Sequence, residues 1–344
     1  MQKKRLLWQI PFLLLLIAGT VWVIKNQQDM PYQSNEGKVF GTYYKITYQH
    51  NDDLKTGIEA ELNKVDSALS MFNEESVISR INQGEQQIPD NETGQMFLDV
   101  YNLAQSISKE TDGAFDITVA PLVNAWGFGF KGGKMPTPAQ VDSIRQFVGY
   151  KKVTLTNPTS SLKKQDSRIM LDCSAIAKGY GCDVVARYLE QQGITNYMVM
   201  IGGEVVTKGI NPTRLPWRIG VTKPEDDSLG IKQETQTVLN VTDKAMATSG
   251  NYRNFYYKGG KKYAHTIDPK TGYPVQHSLL SATVLAKDCA TADAYATSFM
   301  VMGMERAQQL LERHPELMAY FIYTDGKGEL AVWFSPSLKD KIEN

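Results

Sequence analysis

Residues 237–285 read TVLNVTDKAMATSGNYRNFYYKGGKKYAHTIDPKTGYPVQHSLLSATVL, and this run decides the fold class. Segments 237–241, 252–257, 263–267 and 280–285 are rich in β-branched and aromatic residues and are punctuated by Gly, Asn, Asp and Pro. No helical period separates them, so they predict successive strands. Toward the C-terminus, a helix is expected over residues 291–313, followed by a closing pair of strands at 318–323 and 330–334. Toward the N-terminus, strands are expected at 217–221, 197–201, 169–172, 153–156 and 39–48, with a helix over 175–191. Leu54, Ile58, Leu62, Val65 and Leu69 recur at helical spacing, as do Met96, Phe97, Val100, Leu103, Ala104 and Ile107. Thr137-Pro138 followed by Gln140 supplies a capping hydroxyl, Pro at the first helical position and Gln at the third. It opens a short helix through Val141 and Ile144. Few of these elements form strict βαβ repeats, which favours an α+β class over a doubly wound parallel sheet. The chain shows no internal repeat and no interdomain linker after residue 37.

The 344 residues carry 37 Lys+Arg and 37 Asp+Glu, with 42% hydrophobic and 22% charged residues. That composition excludes disorder, low complexity and a multi-span membrane protein. The charge balance also argues against nucleic acid as a partner, since duplex binding draws on a basic excess. The balance is uneven along the chain. Residues 1–25 hold Lys3, Lys4, Arg5 and Lys25 with no acid, leaving 33 basic against 37 acidic residues elsewhere, a net of −4.

Residues 6–24, LLWQIPFLLLLIAGTVWVI, are long enough as a helix for one bilayer crossing. Lys3, Lys4 and Arg5 before them predict a cytoplasmic N-terminus and a chain that continues outside the cytoplasm, on the periplasmic side of an inner membrane. An uncleaved anchor is favoured over a signal peptide, because the apolar stretch is long and no clean Ala-x-Ala site follows. The lipidation pattern is incomplete, since Leu16-Ile17-Ala18-Gly19 precedes Thr20 rather than a cysteine. The expected organisation is therefore tip and anchor at 1–25, a polar tether at 26–36 and a catalytic domain at 37–340. Cys173, Cys182 and Cys289 lack CxxC spacing, which argues against a thiolate metal site and favours buried free thiols.

Six runs are denser in Gly, Asp, Thr and His than packing requires: 113–129, 171–183, 201–204, 247–254, 265–274 and 290–297. Walker A, Gly-x-Gly-x-x-Gly, Gly-x-Ser-x-Gly and His-Glu-x-x-His patterns are all absent, which disfavours P-loop, Rossmann, nucleophile-elbow and zincin chemistry. Asp293 and Thr297 stand at i and i+4, on one helix face, and such oxygen ligands suit Mg²⁺. Each run also has an ordinary reading: Gly202-Gly203 as a turn after a strand, 268–272 as a β-turn, Asp116 bonded to nearby amides, Asp293 at a helix start.

In order and spacing these runs resemble the ApbE family, the FAD:protein FMN transferases formerly called thiamine-biosynthesis lipoproteins. The resemblance covers residues 41–303. It rests on Phe72-Asn73, Ser79-Arg80-Ile81-Asn82, Phe115-Asp116-x-Thr118-Val119, Pro121-Leu122-Val123-Asn124 and Trp126-Gly127-Phe128-Gly129. Further along stand Asp172-x-Ser174-Ala175-Ile176-Ala177-Lys178-Gly179-Tyr180, Gly202-Gly203-Glu204, Ala247-Thr248-Ser249-Gly250, His265-x-Ile267-Asp268-Pro269-x-Thr271-Gly272 and Ala292-Asp293-Ala294. Phe40 departs from the Met common there and Cys173 from the usual Leu; both are apolar.

The resemblance implies a mixed-sheet, T-fold-like domain and a Mg²⁺-dependent enzyme. It would cleave FAD, join FMN to a threonine hydroxyl of an acceptor protein and release AMP. Phe40, Phe72, Ala114, Phe115, Asp116, Asp172, Lys178 and His265 would contact the flavin nucleotide. Ala175 through its carbonyl, Asp293, Thr297 and the Ala296 carbonyl would hold the metal. A base must take the threonine proton, and His265 and Asp268 are the candidates. The family's usual acceptors are flavin subunits of membrane redox pumps. FAD hydrolysis to FMN and AMP, or flavin binding without turnover, are the competing functions.

Overall fold

The computed structural model describes residues 2–28, 30–129, 135–156, 160–224, 234–252 and 255–343, without the side chains of residues 2–9, 24, 26–28 and 261. An N-terminal helix α1 (Gln2–Gln28) precedes a hairpin of β1 (Tyr32–Val39) and β2 (Thr42–Gln49). Helices α2 (Lys55–Leu69), α3 (Val77–Asn82), α4 (Glu92–Glu110), α5 (Ala120–Ala125) and α6 (Pro138–Arg145) follow, then the small hairpin β3 (Val153–Thr156) and β4 (Ser161–Lys164). Next come α7 (Ala177–Gln191), β5 (Tyr197–Ile201), β6 (Glu204–Lys208), the pair β7 (Trp217–Thr222) and β8 (Thr235–Val241), and β9 (Lys244–Gly250). The chain closes with β10 (Phe255–Lys258), β11 (Lys261–Ala264), β12 (Leu279–Ala286), α8 (Cys289–Met302), α9 (Met304–Arg313), β13 (Met318–Thr324) and β14 (Leu330–Phe334).

The main sheet runs β1-β2-β5-β6-β9-β12-β13-β14, and every described pairing in it is antiparallel. The α+β class stands, while the expected mixed sheet is corrected to an antiparallel one. The strands enter the sheet in chain order, and helices are inserted between neighbours as returns rather than as parallel crossovers. Side chains alternate across the sheet with period two. Val199, Ala245, Ala282, Val284 and Phe321 face the helical core, whereas Val205, Met246, Leu285, Tyr320 and Ile322 face a second cluster completed by β7, β8 and Leu338.

Helix α8 is buried nearly all round, from Cys289 to Val301, as a helix apolar on every face should be. Its alanines, Ala290, Ala292, Ala294 and Ala296, are at most 2% exposed and let the helix lie close to its neighbours. Helices α2 and α4 bury the expected apolar stripes, and Thr137 and Gln140 form the expected capping box on α6.

Several expectations change. The helix expected over 291–313 is two helices, because Gly303 at φ +75° and ψ 176° ends α8 and begins α9. Residues 39–48 are not one strand: Phe40 (φ +50°) and Gly41 (φ +71°) turn the chain between β1 and β2. Residues 32–36, expected in the tether, belong to β1, which as an edge strand needs backbone pairing more than apolar side chains. Residues 169–172 form no ladder; the Asn82 side chain instead bonds both Leu171 N–H (2.7 Å) and Leu171 C=O (2.9 Å). In the run 252–257, Arg253 and Asn254 lie outside the described residues, and β10 pairs with β11 away from the main sheet. The three cysteines are free and buried.

The apolar N-terminal segment is helical, and its side chains from Phe12 to Ile17 are more than half exposed. Among the described residues no helix is long and apolar enough to cross a membrane. The side chains of Lys3, Lys4, Arg5 and residues 6–9 lie outside the described ones.

Candidate active site

A cavity of about 800 Å³ opens between the helical layer and the end of the sheet, in the upper part of the range for ligand sites. Its floor is built where α7 and α8 begin. Residues 172–176 turn into α7: Ser174 N–H donates to Asp172 Oδ1 at 2.7 Å, and Asp172 N–H donates to Ile117 C=O at 2.7 Å. Ile176 N–H and Ala177 N–H donate to Cys173 C=O at 3.0 Å and 2.7 Å, leaving the next N–H groups of α7 to find other partners.

One of them has a partner from the neighbouring helix. Gly179 N–H donates to Asp293 Oδ2 at 3.1 Å. The approach depends on glycine, since a Cβ there would sit 2.3 Å from Cys289 C=O and 2.9 Å from Ala290 Cα. Helix α8 is fixed from the other side by Asp183, whose oxygens accept Cys289 N–H and Ala290 N–H at 2.8 Å each, and by its cap Asp288. Asp293 and Thr297, one turn apart, both line the cavity, as do Ala175 and Asp172.

Lys178, in the first turn of α7, reaches three oxygens: Ser174 C=O at 3.3 Å, Glu204 Oε1 at 3.4 Å and Asp293 Oδ2 at 3.7 Å. Burial opposes its charge, but the Asp293 and Glu204 carboxylates outweigh that cost and hold the ammonium above its ordinary pKa. Burial pushes the Glu204 carboxyl up, with Lys178 pulling against it. Gly202-Gly203 is more than a turn: at Gly202 (φ +63°) a Cβ would lie 3.3 Å from both Glu204 Oε2 and Lys178 Cδ.

The opposite wall comes from the segment after α4. Ala114, Phe115 and Asp116 line it, but the Asp116 carboxylate is committed to the protein. Its Oδ1 accepts Thr118 N–H (2.8 Å) and Thr118 O–H (2.6 Å), and its Oδ2 accepts Tyr150 N–H (2.7 Å). Burial raises the Asp116 pKa against these bonds. The segment therefore presents its backbone and shape rather than a free carboxylate. Phe72 lies on the rim, 76% exposed, and His265 faces the cavity beside Phe128, with ring centroids 6.4 Å apart.

Of the residues singled out from sequence, Phe72, Ala114, Phe115, Asp116, Asp172, Ala175, Lys178, His265, Asp293 and Thr297 line this one cavity. Three do not. Phe40 sits in the β1–β2 turn and packs over Gly181, where a Cβ would meet its ring at 2.7 Å. Ala296 is fully buried in the core. Asp268 is a turn residue: its carboxylate accepts Lys270 N–H at 2.8 Å, and its C=O accepts Gly272 N–H at 2.8 Å. That turn packs on α6 and gives its Gly272 C=O to the Trp126 indole at 2.8 Å, so Trp126 is core rather than lining. Glu204 and the wall from Tyr43, Met200, Met246, Gly220 and Thr222 have no assigned role in the sequence alone. An acid opening the otherwise apolar run 204–206 was the available signal for Glu204.

Among the described residues no group of three or more His, Cys, Asp and Glu stands together as a metal cluster. The donor set here is of another kind: one carboxylate (Asp293), one hydroxyl (Thr297) and nearby backbone carbonyls. Such a set fits a hard cation that keeps most of its water and shares a substrate phosphate. The buried Glu204 Oε2, which lacks a hydrogen-bond partner, marks the same corner as short of positive charge or donors.

The ApbE family model matches residues 40–321. An FAD:protein FMN transferase of Vibrio cholerae is 39% identical over 297 residues, covering 84% of this chain and 87% of that protein. Another, from Escherichia coli, is 33% identical over 341 residues, covering 94% and 95%. The solved structure of the flavin transferase ApbE from Vibrio cholerae is similar with a TM-score of 0.80 at 36% identity, over 91% of this chain and 99% of that one.

Proposed function

The chain belongs to the ApbE family and is an FAD:protein FMN transferase; from that premise we propose that the acceptor group is a threonine hydroxyl, that Mg²⁺ is required and that AMP is released. The observation that carries this reading is the convergence of Lys178, Asp293 and Thr297 in a dinucleotide-sized cavity that also contains Phe72 and His265.

In the proposed reaction the threonine oxygen attacks the phosphorus on the FMN side of the FAD pyrophosphate. The bond from that phosphorus to the bridging oxygen breaks, and AMP departs with that oxygen. Lys178 meets the charge building on the phosphates with a charge-assisted contact. His265 takes the threonine proton, since Asp268 is held in its turn outside the cavity. Asp293, Thr297 and the Ala175 carbonyl would hold Mg²⁺. When bound, the cation stabilises negative charge on the transferring and leaving groups. Phe72 and the 114–116 wall position the flavin nucleotide.

The acceptor in this proposal is a flavin subunit of a membrane redox complex. Residues 6–24 anchor the enzyme beside it, with the catalytic domain on the periplasmic side. Exposed apolar side chains from Phe12 to Ile17 support the anchor. Protease treatment of intact spheroplasts checks this topology: digestion of the catalytic domain is expected, and protection would refute it.

Mass mapping of an acceptor segment after incubation with enzyme, FAD and Mg²⁺ tests the reaction. FMN attached to threonine supports the proposal. Free FMN without modified acceptor would assign the protein to FAD hydrolysis, and unchanged FAD to binding alone.

A further inference from the structure

Glu204 has no part in the reaction as written, yet it is among the most committed residues of the site. It is 4% exposed and lines the cavity. Its Oε1 lies 3.4 Å from Lys178 Nζ, while its buried Oε2 has no hydrogen-bond partner. Lys178 thus lies within reach of two carboxylates, with Asp293 Oδ2 at 3.7 Å. Two acids around one ammonium leave one uncompensated negative charge in a buried corner, an arrangement that is costly unless the site receives a further cation.

We propose that Glu204 is a positioning residue that competes with Asp293 for the Lys178 ammonium, so that Asp293 can take a divalent cation while Lys178 stays directed at the substrate phosphates. The inference rests on the reading of Asp293 as a cation ligand. A cation on Asp293 repels Lys178, which then needs another anionic partner, and Glu204 already stands within reach. Without Glu204, Asp293 is the one carboxylate among the described residues within 4 Å of Lys178, and the ammonium then competes with the metal for it. Gly202 keeps room for the pair, since a Cβ there would crowd both side chains.

Calorimetric titration of the full chain with Mg²⁺ alone, without FAD or acceptor, tests this. Glu204→Gln is expected to weaken Mg²⁺ binding about tenfold, the lower end of what a lost supporting partner costs a metal site. Adding Lys178→Met to Glu204→Gln is expected to restore binding to within about twofold of Lys178→Met alone, because the competing ammonium is gone. Lys178→Met alone is expected to bind Mg²⁺ at least as tightly as the parent. Unchanged binding in Glu204→Gln, or a double variant as weak as Glu204→Gln, overturns the inference. If Glu204→Gln does not fold, as judged by its melting curve, Lys178→Met decides: weaker binding there overturns it equally. Asp293→Asn separates the two readings. Binding that survives Asp293→Asn refutes the cation site itself, whereas loss in Asp293→Asn with none in Glu204→Gln refutes the role of Glu204 alone.

Discussion

Gly179 and Asp293, 114 positions apart in the chain, meet through a 3.1 Å hydrogen bond from the first turn of α7 to the carboxylate of α8. This bond satisfies an orphan N–H of one helix and fixes the carboxylate of the other at the cavity. Gly179→Ala is expected to force the helix starts apart, since its Cβ would overlap the backbone at Cys289. A loss of about 1–3 kcal/mol in stability should follow, against the usual helical preference for Ala, together with a fall in transfer rate. Melting curves and initial rates check both. A variant as stable and active as the parent would mean that the helices do not approach so closely.

Phe72 is expected to matter for binding and hardly at all for folding. It is 76% exposed, so Phe72→Ala should change stability by no more than about 0.5 kcal/mol. Loss of its ring from the rim should weaken FAD binding about 3- to 10-fold, as for other aromatic contacts. Flavin fluorescence titration measures this, and unchanged affinity would remove Phe72 from the flavin site.

His265 and Asp268 lie in one sequence motif, but His265 lines the cavity and Asp268 does not. His265→Gln is expected to lower kcat about 10²- to 10⁴-fold, the range for loss of a general base. Asp268→Asn keeps an acceptor for Lys270 N–H and should retain the rate within about threefold. Comparable losses in the two variants would contradict the assignment.

Much of this was legible in the sequence where local rules act. The capping box at Thr137 and the apolar stripes of α2 and α4 form as expected, because caps and periodicity are short-range, and some residues of each of the six polar runs line the cavity. The site emerged less completely, for tertiary reasons. Asp268 and Phe40 share motifs with cavity residues, yet backbone turns direct them elsewhere. Glu204 gains its importance from a lysine on another element. Strand β1 escaped because its run, YQSNEGKV, is polar, and the break at Gly303 because a single glycine separates two helix-forming runs.

Asp183 adds a pH dependence to stability. Burial pushes its carboxyl up to about 7, with the Cys289 and Ala290 N–H groups opposing. The folded chain therefore keeps a proton that the unfolded chain loses above about pH 4. Its contribution is fully present below that pH and is lost as pH rises through about 7. Asp183→Asn should remove this decline, although it lowers stability by about 1–3 kcal/mol through the lost acceptor for the start of α8. Melting temperatures between pH 4 and 8 check it: the gap between parent and variant should narrow as pH rises, and a widening gap would reverse the sign.

In the proposed reaction this cavity moves FMN from FAD to a threonine with help from a divalent cation. The most direct measurement is the ratio of AMP released to fluorescent FMN–acceptor adduct formed, with and without a chelator. It is run beside an acceptor segment whose threonine is replaced by valine. The expected result is one AMP per adduct, no adduct on the valine segment, and neither product once Mg²⁺ is removed. AMP release that proceeds equally without a threonine acceptor, or adduct formation undiminished by the chelator, would rule out this reaction.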